Sequence, residues 1–267
     1  MEKLKPITIE NNEQYLRQIS KKVDVTDPEL HNNIVVLQDY CMQNEVMAMA
    51  AVQLGISKKI VYGVINMSER YNTLEYYNKN AKLYCEQTLI GDLKENYDKF
   101  LKKLPQGAYI LDFGCGSGRD SKYFISKGYK VKAIDGSKEM CKLASKLINQ
   151  EVQCMKFDEL DDINIYDGIW ACSSILHVEK DKLPNILNKM IKSLKDNGVI
   201  YTSFKIGTGY EIKEDKYYNY LTKEEMIQLL NKLDDNVKLI DYFETLPSTK
   251  RNAKNTIWGN FIIKKLK

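Results

Sequence analysis

The sequence predicts an α/β fold, a largely parallel sheet with helices on both faces, preceded by a small α+β unit at the N-terminus. Three observations carry that prediction. From Tyr109 onward, apolar strand-like runs alternate with helical periodicities. A glycine-rich segment, Gly114-Cys115-Gly116-Ser117-Gly118, joins one such run to a helix. A polar stretch, Ser68 to Asn72, separates this region from what precedes it. The 267 residues suffice for a full α/β domain with a smaller appendage, which places the two units at 1–67 and 68–267.

In order along the chain, Leu30, Ile34, Leu37 and Cys41 recur at helical spacing after Thr26-Asp27-Pro28, so a helix is expected from Pro28 to Asn44. The apolar stretch Val46 to Leu54 follows, then a β-like run from Ile60 to Ile65. Helices are expected over Tyr76 to Thr88 and Asp92 to Lys103, and the turn Pro105-Gln106-Gly107 launches a strand from Tyr109 to Phe113. The alternation continues as helix Arg119 to Lys127, strand Lys130 to Ile134, helix Lys138 to Asn149, strand Val152 to Lys156 and strand Ile165 to Ala171. Helix Lys182 to Lys195, strand Val199 to Phe204 and helix Thr222 to Leu233 come next. Two last strands run from Val237 to Phe243 and from Thr256 to Ile263.

Composition narrows the function classes. Forty basic against 36 acidic residues leave a formal +4, with both signs interspersed, and no basic block is interleaved with aromatics. Nucleic acid is therefore not indicated as a partner. No apolar run approaches the roughly 20 residues of a membrane helix, and the first residues are charged and polar, which argues against a membrane partner and for a cytoplasmic protein. Six cysteines without a C-x-x-C pair are expected as reduced thiols. Only His31 and His177 occur, which excludes a metal site built on several imidazoles, and no metal is expected.

The glycine segment carries the chemistry. Its glycines let the backbone bend sharply and approach a ligand at the carboxyl end of a strand, where open α/β sheets bind. A dinucleotide fingerprint would need Gly in place of Arg119, and a phosphate loop would need Gly-Lys-Ser or Gly-Lys-Thr. Neither is present. Asp135, at the end of the next strand, is spaced so that its carboxylate can accept from both hydroxyls of a ribose. Phe157 and Asp158 can offer a ring face and an acceptor to an adenine.

The run Ile110 to Ala144 (ILDFGCGSGRDSKYFISKGYKVKAIDGSKEMCKLA) resembles the first two motifs of small bacterial class I S-adenosylmethionine-dependent methyltransferases. The likeness extends to Tyr76 through Ala81 with Tyr84 and Thr88, to Trp170 through His177, to Leu194 through Gly198 and to Ser203-Phe204-Lys205, and covers essentially Tyr71 to Lys267. It implies a Rossmann-like sheet of seven strands, mostly parallel with an antiparallel last hairpin, S-adenosylmethionine as cofactor, and donor contacts from Gly114, Gly116, Asp135 and Asp158. Around them the candidate donor set comprises Tyr76, Tyr84, Asp112, Cys115, Ser117, Arg119, Gly136, Ser137, Met140, Phe157 and Cys172.

Methyl transfer mainly requires a nucleophile aligned with the donor methyl and water kept out. Tyr76 or Tyr77 can share a helix face with Tyr84 as a lid whose rings attract a cationic donor, core packing being the competing reading. His177, after the fourth strand, is the candidate base, with capping or packing as its alternative. Lys205, Arg251 and Trp258 resemble acceptor-side positions of the same group, and two cations there would suit a carboxylate or phosphate. Related sequences tend to carry Arg near Lys216, where this chain has Lys. The leading expectation is methylation of an O, N or S atom of a small-molecule acceptor. Alternatives are an RNA or protein methyltransferase that uses the N-terminal unit for recognition, and a binding protein without turnover. Self-association is the remaining partner class.

Residues Glu2 to Ile65 resemble the start of peptide deformylases, through the helix after Pro28 and Ala48-Met49-Ala50-Ala51-Val52-Gln53-Leu54-Gly55 followed by Ile56 to Ile60. Gln53 would match that family's oxyanion-stabilising glutamine. Val46 and Ala48 stand where the family has glycines, and neither Glu-Gly-Cys-Leu-Ser nor His-Glu-x-x-His occurs in the chain.

Overall fold

The computed structural model describes residues 28–30, 32, 34, 48–50, 61–63, 71–233, 236–248 and 256–267. The chain divides into two compact units, Met1–Glu69 and Arg70–Lys267. In the first, strands β1 (Ala48–Ala50) and β2 (Val61–Gly63) pair antiparallel, Met49 opposite Tyr62. Gln53, Val46 and most of the expected first helix lie outside the described residues, and with them the features that carry the deformylase resemblance.

The second unit opens with helices α1 (Thr73–Thr88) and α2 (Lys94–Leu101). Asn72 caps α1, its side-chain oxygen accepting from the Glu75 amide at 3.0 Å. The alternation then reads β3 (Tyr109–Phe113), α3 (Arg119–Ser126), β4 (Lys130–Asp135), α4 (Lys138–Ile148), β5 (Gln153–Cys154), β6 (Tyr166–Ala171), α5 (Leu183–Ser193) and β7 (Leu194–Lys205). A hairpin of β8 (Tyr210–Lys213) and β9 (Lys216–Asn219) follows, then α6 (Lys223–Leu233), β10 (Val237–Thr245) and β11 (Trp258–Lys265).

Seven strands form one sheet in the order β10-β11-β7-β6-β3-β4-β5. The pairs from β5 to β7 are parallel, while β11 runs antiparallel to both β7 and β10. This is the mostly parallel sheet with an antiparallel end that the resemblance implies. Strand alternation sorts the core onto two faces. Leu111, Phe113, Ile169, Ala171, Ile200 and Phe204 pack with α5 and α6 residues such as Leu187, Met190, Met226 and Leu230. Ile110, Trp170 and Tyr201 pack on the other face with Tyr97, Phe100 and Phe124. There the Trp170 and Tyr201 rings stack at 3.8 Å. Each such buried large side chain contributes about 2 kcal/mol, which is what holds the carboxyl ends of β3, β4 and β6 in register.

Three sequence expectations need correction. β5 is two residues long rather than Val152 to Lys156, and Phe157 begins a 3-10 turn, Phe157–Glu159. β7 starts at Leu194, inside the expected helix, because the antiparallel partner β11 and the neighbour β6 extend the ladder. The β8–β9 hairpin was not expected at all. Among the described residues no helix is long and apolar enough to cross a membrane.

Candidate active site

The glycine segment leaves β3 and enters α3 at the carboxyl edge of the sheet. Gly114 and Gly116 take φ of +83° and +53°, a region that side chains resist. The bend turns amides back onto β4: the Gly114 and Cys115 N–H groups donate to the Ile134 carbonyl at 3.0 and 2.9 Å. A Cβ on Gly114 would lie 2.6 Å from Ser174 Cβ and 3.1 Å from the Phe157 ring, so nothing larger than glycine fits there. Phe157 in turn packs its ring 4.7 Å from Phe113.

Asp135 closes β4 with two amides on its carboxylate. Gly116 N–H donates to Oδ2 at 2.9 Å and Ser137 N–H to Oδ1 at 2.8 Å. A carboxylate has about four acceptor positions, so each oxygen keeps room for one more donor. Burial raises the Asp135 carboxyl pKa, against the lowering effect of the Ser137 and Gly116 amides.

Helix α1 lies across this loop and is pinned along its length. Leu74 covers Gly136, where a Cβ would come within 2.7 Å of Leu74 Cδ2. Ser137 Oγ donates to Asn78 Oδ1 at 2.7 Å while accepting from Met140 N–H at 3.3 Å as the cap of α4. Met140 sits in the core beneath α1 with Ala81 and Cys85. Tyr84 Cε1 stands 3.7 Å from the Cβ position of Gly116. Thr88 Oγ1 donates to Ser117 Oγ at 3.4 Å. Arg119 donates to the Thr88 carbonyl at 3.1 Å and, through Nε and Nη2, to both oxygens of Asp120 at 2.6 and 3.2 Å. Arg119 thus fastens α1 to α3.

Asp120 is a junction that the sequence did not single out. It also accepts from Tyr97 Oη at 2.6 Å and Trp170 Nε1 at 2.8 Å. Burial alone would raise its pKa, but the Arg119 guanidinium and these donors hold it low. Asp112 is buried behind the loop, accepting from Ser121 Oγ at 2.6 Å. Its desolvation and the Asp120 charge push its pKa up to about 8. A folded-state pKa above the unfolded one means that the native protein holds the proton longer. The stability this gives is complete below about pH 4 and is lost as pH rises towards 8. Thermal melts of the wild type should therefore fall from pH 5 to 8.5, and Asp112→Asn should flatten that slope; parallel slopes would refute it.

The remaining candidates are placed as follows. Cys115 is buried and its thiol pKa is raised by burial. Cys172 is half-buried and pushed by burial to about 12, which keeps it protonated. Asp158 is exposed on its 3-10 turn. Tyr77, rather than Tyr76, shares a face with Tyr84, their rings 5.1 Å apart edge to face. Tyr76 Oη instead donates to Glu214 at 3.2 Å. Lys205 ends β7 opposite Trp258, which is buried in the core, and Arg251 lies outside the described residues.

His177 closes the 3-10 turn Ile175–His177 after β6. Its Nδ1 is 2.6 Å from the Tyr217 carbonyl, which can only accept, so Nδ1 carries the hydrogen. Nε2 is then the lone-pair nitrogen, and it accepts from Tyr77 Oη at 2.8 Å.

Comparison with known proteins agrees with this fold. Residues 110–198 match the family model described as a methyltransferase domain. An uncharacterised methyltransferase of Staphylococcus carnosus is 28% identical over 156 residues, covering 55% of this chain and 75% of the relative. One from Schizosaccharomyces pombe is 28% identical over 195 residues, covering 66% of this chain and 64% of the relative. The crystal structure of Burkholderia thailandensis 1,6-didemethyltoxoflavin-N1-methyltransferase, with its substrate and S-adenosylhomocysteine bound, superposes with a TM-score of 0.58 at 19% identity, over 72% of this chain and 85% of that one. The chain carries a methyltransferase domain of the class I fold.

Proposed function

We propose that the enzyme methylates an O, N or S atom of a small molecule, with the donor seated on the Gly114–Gly118 bend and α1 as its lid. The observation that carries the reading is Asp135, whose two oxygens each hold one amide and keep one acceptor position for a ribose diol. The residues fit the donor in other respects. Ser174 Oγ, beside Gly114, is buried without a hydrogen-bond partner among the described residues. Phe157 and Tyr84 bring aromatic rings to the bend, with Tyr77 packed against Tyr84, and ring faces attract a sulfonium.

When bound, S-adenosylmethionine supplies an electrophilic methyl. The chain has then to exclude water, which α1 does over the loop, and to take the proton of the acceptor. His177 Nε2 is oriented for this by the Tyr217 carbonyl, but Tyr77 Oη stands before it. The acceptor proton passes to Tyr77 Oη as the tyrosine proton passes to Nε2, leaving an imidazolium and a neutral tyrosine.

Isothermal calorimetry with S-adenosylhomocysteine tests the seat. Asp135→Asn should weaken binding about tenfold, because an amide NH₂ would face the Gly116 or Ser137 N–H. Unchanged affinity would remove Asp135 from the site. Residues 2–65 enter as a deformylase-like appendage without hydrolytic activity, since neither Glu-Gly-Cys-Leu-Ser nor His-Glu-x-x-His occurs in the chain to hold a metal and activate its water. Metal-dependent release of formate from a formyl-Met peptide would overturn that assignment.

A further inference from the structure

The β8–β9 hairpin carries Lys216 into a tyrosine-rich enclosure that Lys205 enters from the end of β7. Lys205 Nζ lies 3.9 Å from the Tyr218 ring centroid and 5.8 Å from that of Tyr220. Lys216 Nζ lies 3.6 Å over Tyr76 and 5.7 Å from Tyr218. Tyr218 is thus shared by both ammonium groups, and its ring is also 4.9 Å from His177. A continuous run of contacts leads from the lysines through Tyr218, His177, Tyr77 and Tyr84 to the Gly116 bend.

Both lysines are withdrawn from water, their side chains 2% exposed for Lys216 and 13% for Lys205. Lysine is seldom buried unless paired, and here the pairing is incomplete. Lys216 donates to Glu214 Oε2 at 3.0 Å, an oxygen that also takes the Tyr76 hydroxyl. The nearest carboxylate to Lys205 is Glu211, 4.0 Å away and already engaged by the Tyr220 hydroxyl at 2.5 Å. No hydrogen bond of the Lys205 ammonium occurs among the described residues, although an ammonium has three donors to place. Burial lowers the Lys205 pKa, with Lys213 and Lys216 adding to that effect against the opposing pull of Glu211. An anion would supply what is missing.

We infer that the acceptor carries an anionic group, a carboxylate or phosphate, held by Lys205 and Lys216 while its nucleophilic atom lies at Tyr77 and His177. The inference rests on the methyl-transfer reading of the same group of residues and adds the charge class of the substrate. Hairpin and lid would then select the acceptor at its far end, as binding energy remote from the reacting atom commonly does.

The test incubates the full-length protein with methyl-labelled S-adenosylmethionine and, separately, the small-molecule and macromolecular fractions of a cell extract, and separates labelled small-molecule products by anion exchange. A retained, anionic product is expected. With that product's precursor as substrate, Lys205→Met and Lys216→Met should each raise KM roughly ten- to a hundredfold, the loss of one charge-assisted hydrogen bond. Donor affinity should stay within about twofold. Lys216→Arg, which keeps the charge, should recover most of the loss, and it carries the test together with Lys205→Met if Lys216→Met fails to fold. A neutral, cationic or macromolecular product, or an unaltered KM in Lys205→Met, would overturn the anion site and leave methyl transfer standing. No labelled product from any fraction, with donor binding intact, would overturn both.

Discussion

Gly114→Ala is expected to lower donor affinity about a hundredfold or more, some 2.8 kcal/mol, while the sheet still folds. Two effects act on this residue, and they can be separated. The first is backbone strain: at φ +83° an alanine pays roughly 1–2 kcal/mol that glycine does not. The second is steric, since the new methyl would sit 2.6 Å from Ser174 Cβ and 3.1 Å from Phe157 Cζ. Ser174 follows β6 and Phe157 follows β5, so relief of the clash must displace the loop from two neighbours that help form the seat. A displacement of about an ångström is enough to lose ligand geometry. Gly107→Ala is the control. Its φ is +72° but its Cβ would meet nothing nearer than 3.9 Å, so it bears the strain without the clash. Calorimetry with S-adenosylhomocysteine should find Gly107→Ala close to wild type and Gly114→Ala without measurable heat. Affinity within threefold of wild type in Gly114→Ala would show that the donor sits elsewhere.

The loop was legible because its signals are local. Three glycines at alternate positions, a buried strand before and a helix after leave few backbone solutions, and Asp135 follows from strand length alone. What stayed hidden depended on tertiary context or on unusual turn chemistry. The β8–β9 hairpin turns through Glu214 and Asp215, both at positive φ, 52° and 57°. A two-residue turn of that kind normally advertises itself with Asn-Gly or Asp-Gly, and Glu-Asp does not. The hairpin brings Lys216 and Tyr218 to the site, so missing it left the acceptor side incompletely described. The tyrosines of α1 show the opposite case. A seven-residue spacing returns a helix to within about 20° of its starting direction, an eight-residue spacing to about 80°, so Tyr77 and not Tyr76 meets Tyr84. Helical geometry contained that answer. Arg119 could not be resolved the same way, because its partners Asp120 and Thr88 are set by the docking of α1 on α3. Trp258 likewise reads as a site residue until β11 is paired with β7, which buries it.

Tyr77→Phe decides how the acceptor loses its proton. If the tyrosine relays it, the variant should lower kcat roughly a hundredfold, the scale of general base catalysis, with the donor dissociation constant unchanged. His177→Ala should do the same, and the double variant should be little worse than either single one, because the two groups act as a unit. If instead His177 acts directly, removing the Tyr77 hydroxyl takes away the hydrogen bond that competes with the acceptor for Nε2, and Tyr77→Phe should match or exceed wild type. The pH dependence separates the proton role from packing. A neutral imidazole is required to receive the proton, so wild-type kcat should rise with pH as the imidazole titrates. That limb should vanish in His177→Ala and its rate should become nearly flat. Tyr77 also packs against Tyr84 and Tyr76, and loss of packing alone would lower the rate without altering the shape of the profile. A rising limb that survives in His177→Ala, or full turnover in that variant, would remove the histidine from the chemistry and leave the Tyr217 carbonyl merely anchoring a structural ring.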